Sequence, residues 1–395
     1  MSSVKATCFA MLVLAAAQRT TTATTACDNE TSVYCTTWIM NTGDEYSTAP
    51  FLDNVLTDVQ AIEVDRDYLR ILASGIPKFT TVISNEIFEF LESRPKASSD
   101  FEDGVPSVSV GDLVEWGGDV GYTGKQGCAA GSSGYWPTGP SCPSDQNLTA
   151  YIPMQPTFTE SVCYQPLGNI GLFSNGVAVY GLLDGTSYNS EGTWNSLAPK
   201  FEIYDVDING GHAQTSGQYH IHATTNMMPA LKGENNSDAK SSVWGFAADG
   251  FPILGPYISD GVKAQSCWKA RNYYNDSLGG CGTEGERSCL LVDIFDLSQG
   301  TAPTSLVGPN VQDNVTTQSG NTISGESGIY LEDFYYDAAC TAQGDEYLDE
   351  HNGRMDDELG YLVFKYVFIF RAYISPNNEA IAVIQAFRVT GNLRI

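Results

Sequence analysis

The chain has 395 residues, 42% of them hydrophobic, and its 47 acidic and 20 basic side chains give a net charge of −27. Acidity on this scale excludes ordinary nucleic-acid binding, which neutralises phosphates with Lys and Arg; it fits solvation or cation binding instead. Beyond the N-terminal region no apolar run reaches the roughly 20 residues of a membrane-spanning helix. The longest, residues 361–370, carries Lys365 and reads as a buried strand.

Lys5 followed by the apolar stretch 6–17 has the order of a secretory signal, which predicts a signal peptide over residues 1–17. Ala15 and Ala17 fit a small-x-small cleavage site, and Thr24 and Ala26 give a later one. Residues 18–36 read as a flexible leader. No Pro-rich or charged linker divides the remainder, so 37–395 are expected to form a single β-rich domain. Val59–Val64 and Tyr68–Ala73 predict two strands around an Asp-Arg-Asp turn, and residues 86–92, with Ile87-Phe-Glu-Phe90, read as another strand. Residues 117–144 are Gly-rich and read as loop. Ile170–Leu183 predicts two short strands around the turn Ser174-Asn-Gly176. Abundant Tyr, Val, Thr and Phe with closely spaced turns predict a mainly β fold, sandwich-like or irregular, with long disulfide-bonded loops and few helices.

Cysteines and sequons point to export. Ten cysteines less Cys8, which leaves with the signal, make nine, and they lack paired Cys-x-x-Cys spacing, so disulfides are expected rather than a zinc ribbon. An odd number leaves one thiol over. Cys128 with Cys142 would close a Gly/Ser/Pro-rich loop. Asn-x-Ser/Thr sequons stand at Asn29, Asn147, Asn235, Asn275 and Asn314, as on a secreted glycoprotein.

Of only four histidines, His212, His220 and His222 fall within eleven residues. Imidazole is the commonest ligand of zinc and copper, so the cluster predicts a metal site. In a strand Tyr219-His-Ile-His222, His220 and His222 share a face about 6.6 Å apart, while Tyr219 and Ile221 share the other. His212 depends on the turn. With a loop over 213–217 it pairs with Gln218 and joins that face; with a loop over 214–217 it pairs with Tyr219 and points away, unless a bulge restores it. The alternative is a set of hydrogen-bonded histidines that only stabilise a hairpin. Asp205, Asp207 and Asn209 match the opening of a calcium loop, but Ser216 stands where the bidentate Glu belongs. Asp205 or Asp207 would otherwise orient a histidine.

Gly211-His212, Gly217-Gln-Tyr-His-Ile-His222 and Trp244-Gly-Phe-Ala-Ala-Asp-Gly-Phe-Pro-Ile-Leu-Gly-Pro256 resemble the YHYH proteins, a family named for its Tyr-His-Tyr-His motif. The resemblance extends through Ser74-Gly-Ile-Pro77, Gly168-Asn-Ile-Gly171 and Leu348-Asp-Glu-His-Asn-Gly-Arg354, and it implies a mostly secreted family without an agreed activity. Ile221 replaces the second motif tyrosine. His351 stands where such proteins often carry cysteine, which accounts for the odd cysteine count and makes His351 a candidate fourth ligand; a surface-loop histidine is the alternative. Asp207–His212 with Gly217–His222 also resembles Glu350–Arg354 with Gly360–Phe364, as an internal repeat whose second copy lacks these histidines would. Asp249-Gly-Phe-Pro-Ile-Leu-Gly-Pro256 reads as a rigid loop displaying Asp249, either beside the histidines as a ligand, catalytic base or orienter, or as a structural turn.

Two functions follow. One is a secreted protein binding zinc or copper on His212, His220, His222 and His351, with Asp249 assisting metal-dependent hydrolysis or hydration. The other is a non-catalytic extracellular or cell-surface module with a structural histidine hairpin. In that module, aromatics such as Tyr135-Trp136 or Tyr273-Tyr274 would touch a glycan or partner. Met227-Met228 reads as packing rather than as a copper site.

Overall fold

Alternation of small and branched apolar side chains builds the first layer. Strands β1 (Thr25–Ala26), β2 (Val59–Asp65), β3 (Tyr68–Ala73) and β4 (Leu148–Pro153) form an antiparallel sheet in that order. On β3, Leu69, Ile71 and Ala73 are buried, as are Leu148, Ala150 and Ile152 on β4, the period of two that one covered face requires. The Asp-Arg-Asp turn is where expected, with Arg66 at φ +59. A computed structural model describes residues 25–27, 31–123, 139–158, 167–223, 225–234, 239–275 and 279–364. The expected signal peptide, Asn29, Cys128, Tyr135-Trp136, Cys163, Asn235 and the strand beyond residue 364 lie outside them.

Two elements depart from expectation. Residues 31–36, read as the end of a flexible leader, are folded: the short helix α1 (Val33–Thr36) is tied back by the Cys27–Cys35 disulfide, and Tyr34 stacks on Phe246 with centroids 4.8 Å apart. Residues 86–92 lie in helix α2 (Asn85–Glu92), not a strand. Ser84 caps that helix by accepting the Ile87 amide, and the buried pair Ile87 and Leu91 has i,i+4 spacing, so its short alternation was a fragment of a helical face.

The second sheet has eight strands: β5 (Asn169–Phe173), β6 (Ala178–Tyr180), β7 (Gly211–Ala213), β8 (Tyr219–Ile221), β9 (Val243–Ala247), β10 (Pro252–Leu254), β11 (Gly353–Asp356) and β12 (Gly360–Phe364). Their spatial order is β7-β8-β6-β5-β9-β10-β12-β11, which reads as the same four-strand unit from either edge. Each half has two hairpins joined by a parallel pairing, Ile221 with Val179 in one and Val363 with Ile253 in the other. At the centre Phe246 pairs with Leu172, flanked by Gly245 with Phe173 and Ala247 with Gly171.

A pseudo-two-fold axis therefore passes between Leu172 and Phe246. Gly171-Leu-Phe-Ser-Asn-Gly-Val-Ala-Val-Tyr-Gly181 aligns without gaps with Gly245-Phe-Ala-Ala-Asp-Gly-Phe-Pro-Ile-Leu-Gly255. The hydrogen bonds repeat with it: Phe173 N–H to Val177 carbonyl and Ala247 N–H to Phe251 carbonyl are both 2.9 Å. The internal repeat is thus larger than the sequence resemblance indicated, and Asp349, not Glu350, is the counterpart of Asp207. One sheet face packs Leu172, Phe246, Leu254, Leu362 and Phe364 against the four-stranded sheet. The other buries Val177, Tyr219, Ile221, Met227, Met228 and Trp244 around Trp116. The chain is mainly β, as expected, and no helix among the described residues is long and apolar enough to cross a membrane.

Candidate metal centre

Hairpin β7–β8 is held from outside its ligands. Buried Asp207 accepts the amides of Asn209 (2.9 Å) and Gly211 (3.0 Å) on one oxygen and the Tyr219 hydroxyl (2.8 Å) on the other. Gly211 is required because a Cβ there would lie 2.4 Å from the Tyr219 hydroxyl oxygen. The other half repeats this brace: Asp349 accepts the amides of His351 and Gly353 (both 2.9 Å) and the Tyr361 hydroxyl (2.7 Å).

The observed register matches neither expected loop. His212 pairs directly with His220 and Ala213 with Tyr219, while Gln214 donates to the Gln218 carbonyl, leaving a three-residue turn at 215–217. Gly217, at φ +85, supplies the left-handed residue that a three-residue hairpin loop uses. This shorter turn keeps the parity, so His212 joins the face of His220 and His222. Tyr219 and Ile221 are fully buried on the opposite face, in the core around Trp116.

All three imidazoles are buried, and each commits Nδ1 to a backbone carbonyl: His212 to Asp205 (3.0 Å), His220 to Gln218 (3.0 Å) and His222 to Gly181. A carbonyl can only accept, so Nδ1 carries the proton, and in the neutral imidazole Nε2 presents a lone pair. Those nitrogens converge, with ligand atoms within 4.8 Å of one another. Glu202, just past helix α3 (Ala198–Phe201), completes the group. Its Oε2 is 3.2 Å from His222 Nε2 and 3.3 Å from His212 Nε2, and the two nitrogens of His220 and His222 are 3.0 Å apart. Donors about 2.0–2.1 Å from a tetrahedral ion stand roughly 3.3 Å from one another. Three of the six separations therefore fit the edges of a tetrahedral site, and the histidine donors as a set lie within 4.8 Å. His212 Nε2 and Glu202 Oε2 are also sealed from solvent without a hydrogen-bond partner.

Electrostatics follow from this crowding. Burial, with His212 and His222 adding to it, pushes the His220 pKa well below the ordinary imidazole value. Burial alone would do the same to His212, but the Glu202 carboxylate outweighs it and raises its pKa. Burial would raise Glu202, yet His222 and His212 together hold it below the usual carboxylate range. Tyr180 lies flat on His220, with centroids 3.7 Å apart and planes at 18°, and donates to Gln218 Oε1 at 2.5 Å.

Residues 149–373, more than half of the chain, match the family model described as YHYH protein. The chain belongs to the YHYH family. No curated protein and no solved structure matches it.

The YHYH motif of this chain is thus split by the strand: its histidines face the site, and Tyr219 and Ile221 face the core. His351 is not brought to the cluster. It lies in the turn entering β11, at the opposite edge of the eight-stranded sheet, because it belongs to the second copy of the repeat. Nor does Asp249 converge with the histidines. It sits in the β9–β10 turn, where its counterpart is Asn175, with Gly250 accepting from the Tyr34 hydroxyl beside it. Burial pushes Asp249 up to about 7, partly offset by the Phe251 amide.

The oxygens expected to hold calcium are engaged within the protein: Asp207 braces the hairpin, Asn209 Oδ1 accepts from Thr81 (2.6 Å) and Asp205 Oδ2 accepts from Ser319 (2.6 Å). Asp205 does orient a histidine, through its carbonyl rather than its carboxylate. Glu202 was missed. The signal available was an acidic residue ten positions before His212, in a run that also supplies Asp205 and Asp207.

Proposed function

We propose that this YHYH protein is an exported metalloprotein that holds one zinc or copper ion on Nε2 of His212, His220 and His222, with Glu202 Oε2 as the fourth donor. The observation that carries the proposal is the convergence of acceptors. Three lone-pair nitrogens and a carboxylate oxygen face one another in a buried space, with their Nδ1 protons all directed elsewhere. Such an arrangement repels itself unless a cation lies among them, either a metal ion or a proton held between His212 and Glu202.

The repeat argues against a purely structural cluster. Hairpin β11–β12 has the same Asp-Gly-Tyr brace with Arg354, Leu362 and Phe364 at the positions of His212, His220 and His222, so the hairpin folds without these histidines. The disulfides Cys27–Cys35, Cys267–Cys340 and Cys281–Cys289 support export. So do the exposed sequon asparagines Asn147, Asn275 and Asn314.

A bound ion would supply Lewis acidity suited to hydrolysis or hydration, or, as copper, one-electron chemistry. The chain's own part is to fix the three rings, exclude water around them and leave the edge at Glu202, whose side chain is 24% exposed, as the approach. Elemental analysis of protein purified without chelator or His-tag, beside a His220→Ala/His222→Ala variant, tests the reading. Near-stoichiometric zinc or copper that disappears in a folded variant is expected. A metal-free wild type that takes up neither added ion refutes it.

A further inference from the structure

A cavity of about 650 Å³ opens beside the histidine site. One wall is aromatic: Phe201 and Tyr330 lie with ring centroids 5.4 Å apart, and Tyr188 meets Tyr330 edge-on at 6.4 Å. The remainder is mostly hydroxyl and amide groups, among them Ser187, Asn189, Asn314, Thr316 and Gln318. Among the described residues no Lys, Arg or His lines it, and Asp313 is its one carboxylate. Asn189 and Ser190 hold positive φ, +52 and +58, at its edge, a strained backbone of the kind concentrated at binding sites.

Three chain segments join this cavity to the metal centre. Phe201 lines the cavity and the next residue is Glu202. The strand Leu183–Ser187 gives Thr186 and Ser187 to the cavity, while its Asp184 interacts electrostatically with Glu202 and His222. Gln318 lines the cavity, and the adjoining Ser319 donates to Asp205, whose carbonyl holds His212.

We propose that this cavity binds a neutral sugar and presents it at the Glu202 edge; only the second clause rests on the metal-site reading. Hydroxyl and amide side chains both donate and accept, as a polyol does, whereas a phosphate or carboxylate ligand calls for Arg or Lys. The partly exposed Tyr188 ring, backed by the buried Tyr330 and Phe201, offers an apolar face for the C–H side of a sugar ring. The volume lies within the usual range of small-molecule sites. Asn314-Val-Thr316 is a sequon on the cavity wall, so the sugar comes either from an external glycan or from a glycan on Asn314 itself.

Saturation-transfer NMR with cellobiose, maltose and mannobiose, and digalacturonate as the charged control, distinguishes these sources when run on the glycosylated wild type and on Asn314→Gln. Binding to both forms supports an external glycan, and binding only after Asn314→Gln supports the chain's own. In either case Tyr188→Ala and Gln318→Ala, both at solvent-accessible positions, should weaken binding at least tenfold and keep wild-type metal content. His220→Ala/His222→Ala should bind sugar unchanged, so loss of the metal reading and loss of the sugar reading are separate results. The proposal is overturned if no neutral disaccharide binds either form, if digalacturonate binds better, or if both cavity variants bind like wild type. Loss of sugar binding in the folded histidine variant would also overturn it.

Discussion

Exchanging His220→Leu and His222→Phe installs the residues that the other half of the sheet carries at the same positions, and it separates a site from a brace. His220 and His222 are 2% and 8% exposed, so both new side chains enter a buried space. The exchange loses two imidazole–carbonyl hydrogen bonds, at about 1 kcal/mol each, and leaves the Gly181 and Gln218 carbonyls short of a donor, at about 1–3 kcal/mol apiece if they stay dry. Against that, a fully buried Leu or Phe contributes roughly 1.5–3 kcal/mol. The retained His212, when protonated, gives Glu202 an ion-pair partner at 3.3 Å. These terms offset, so the metal-free variant should lie within about 2 kcal/mol of metal-free wild type. Breaking a buried polar network that braced the fold would instead cost about 3–5 kcal/mol.

The assay is guanidinium unfolding of both proteins, with chelator and with saturating zinc. Wild type should gain about 2.7 kcal/mol when free zinc is a hundredfold above Kd, and the variant nothing. A metal-free variant destabilised by 4 kcal/mol or more, or equal stabilisation of both proteins by zinc, would refute the reasoning.

Glu202→Gln, which keeps the size but not the charge of the fourth donor, should weaken metal binding by about 10–100-fold in a chelator competition; unchanged affinity would remove Glu202 from the site. Asp249 has its pKa raised from 3.8 to about 7 by burial, so the stability tied to its protonated form is complete below about pH 4 and lost as pH rises through 7. That gap corresponds to about 4 kcal/mol. D249N should therefore abolish the decline in unfolding midpoint expected of wild type between about pH 4 and 7, and persistence of the decline would place its origin elsewhere. Asp333 behaves oppositely: burial alone would raise its pKa, but Arg287 at 2.8 Å and a cluster of amides lower it. Its contribution is present above the ordinary carboxylate value and lost on acidification below it. D333N should cost about 3–5 kcal/mol at pH 7, read by denaturant unfolding.

What was legible in the sequence was local. Ser174-Asn-Gly176 and Tyr219-His-Ile-His222 carry their turn and strand signals within a few residues, and both are placed as read. The 86–92 segment failed because a short alternation is shared by strand and helix; Ser84 followed by Asn85-Glu86 was the better signal, being a cap. The turn between His212 and His220 begins two residues later than the expected 213–217 loop and ends at the same Gly217, and a shift of two keeps the parity that places His212 on the ligand face. Glu202 enters through a short helix with Pro199 at its start, and nothing periodic connects it to the histidines. His351 was drawn toward the cluster by motif resemblance, and the same resemblance is the reason that it lies across the sheet.

The two halves explain why a metal site can exist on one of them. Asp207, Gly211 and Tyr219 hold one outer hairpin, and Asp349, Gly353 and Tyr361 hold the other, on the face opposite to the ligand positions. With the backbone fixed from that side, the residues on the other side are free to answer to whatever covers them. Over β12 lies the four-stranded sheet, and Leu362 and Phe364 join its core. Over β8 lies the polar segment 202–207, and His220 and His222 meet Glu202 there. A substitution in the Asp207–Tyr219 brace should consequently disturb metal binding and folding together, whereas substitutions among the three histidines should separate them.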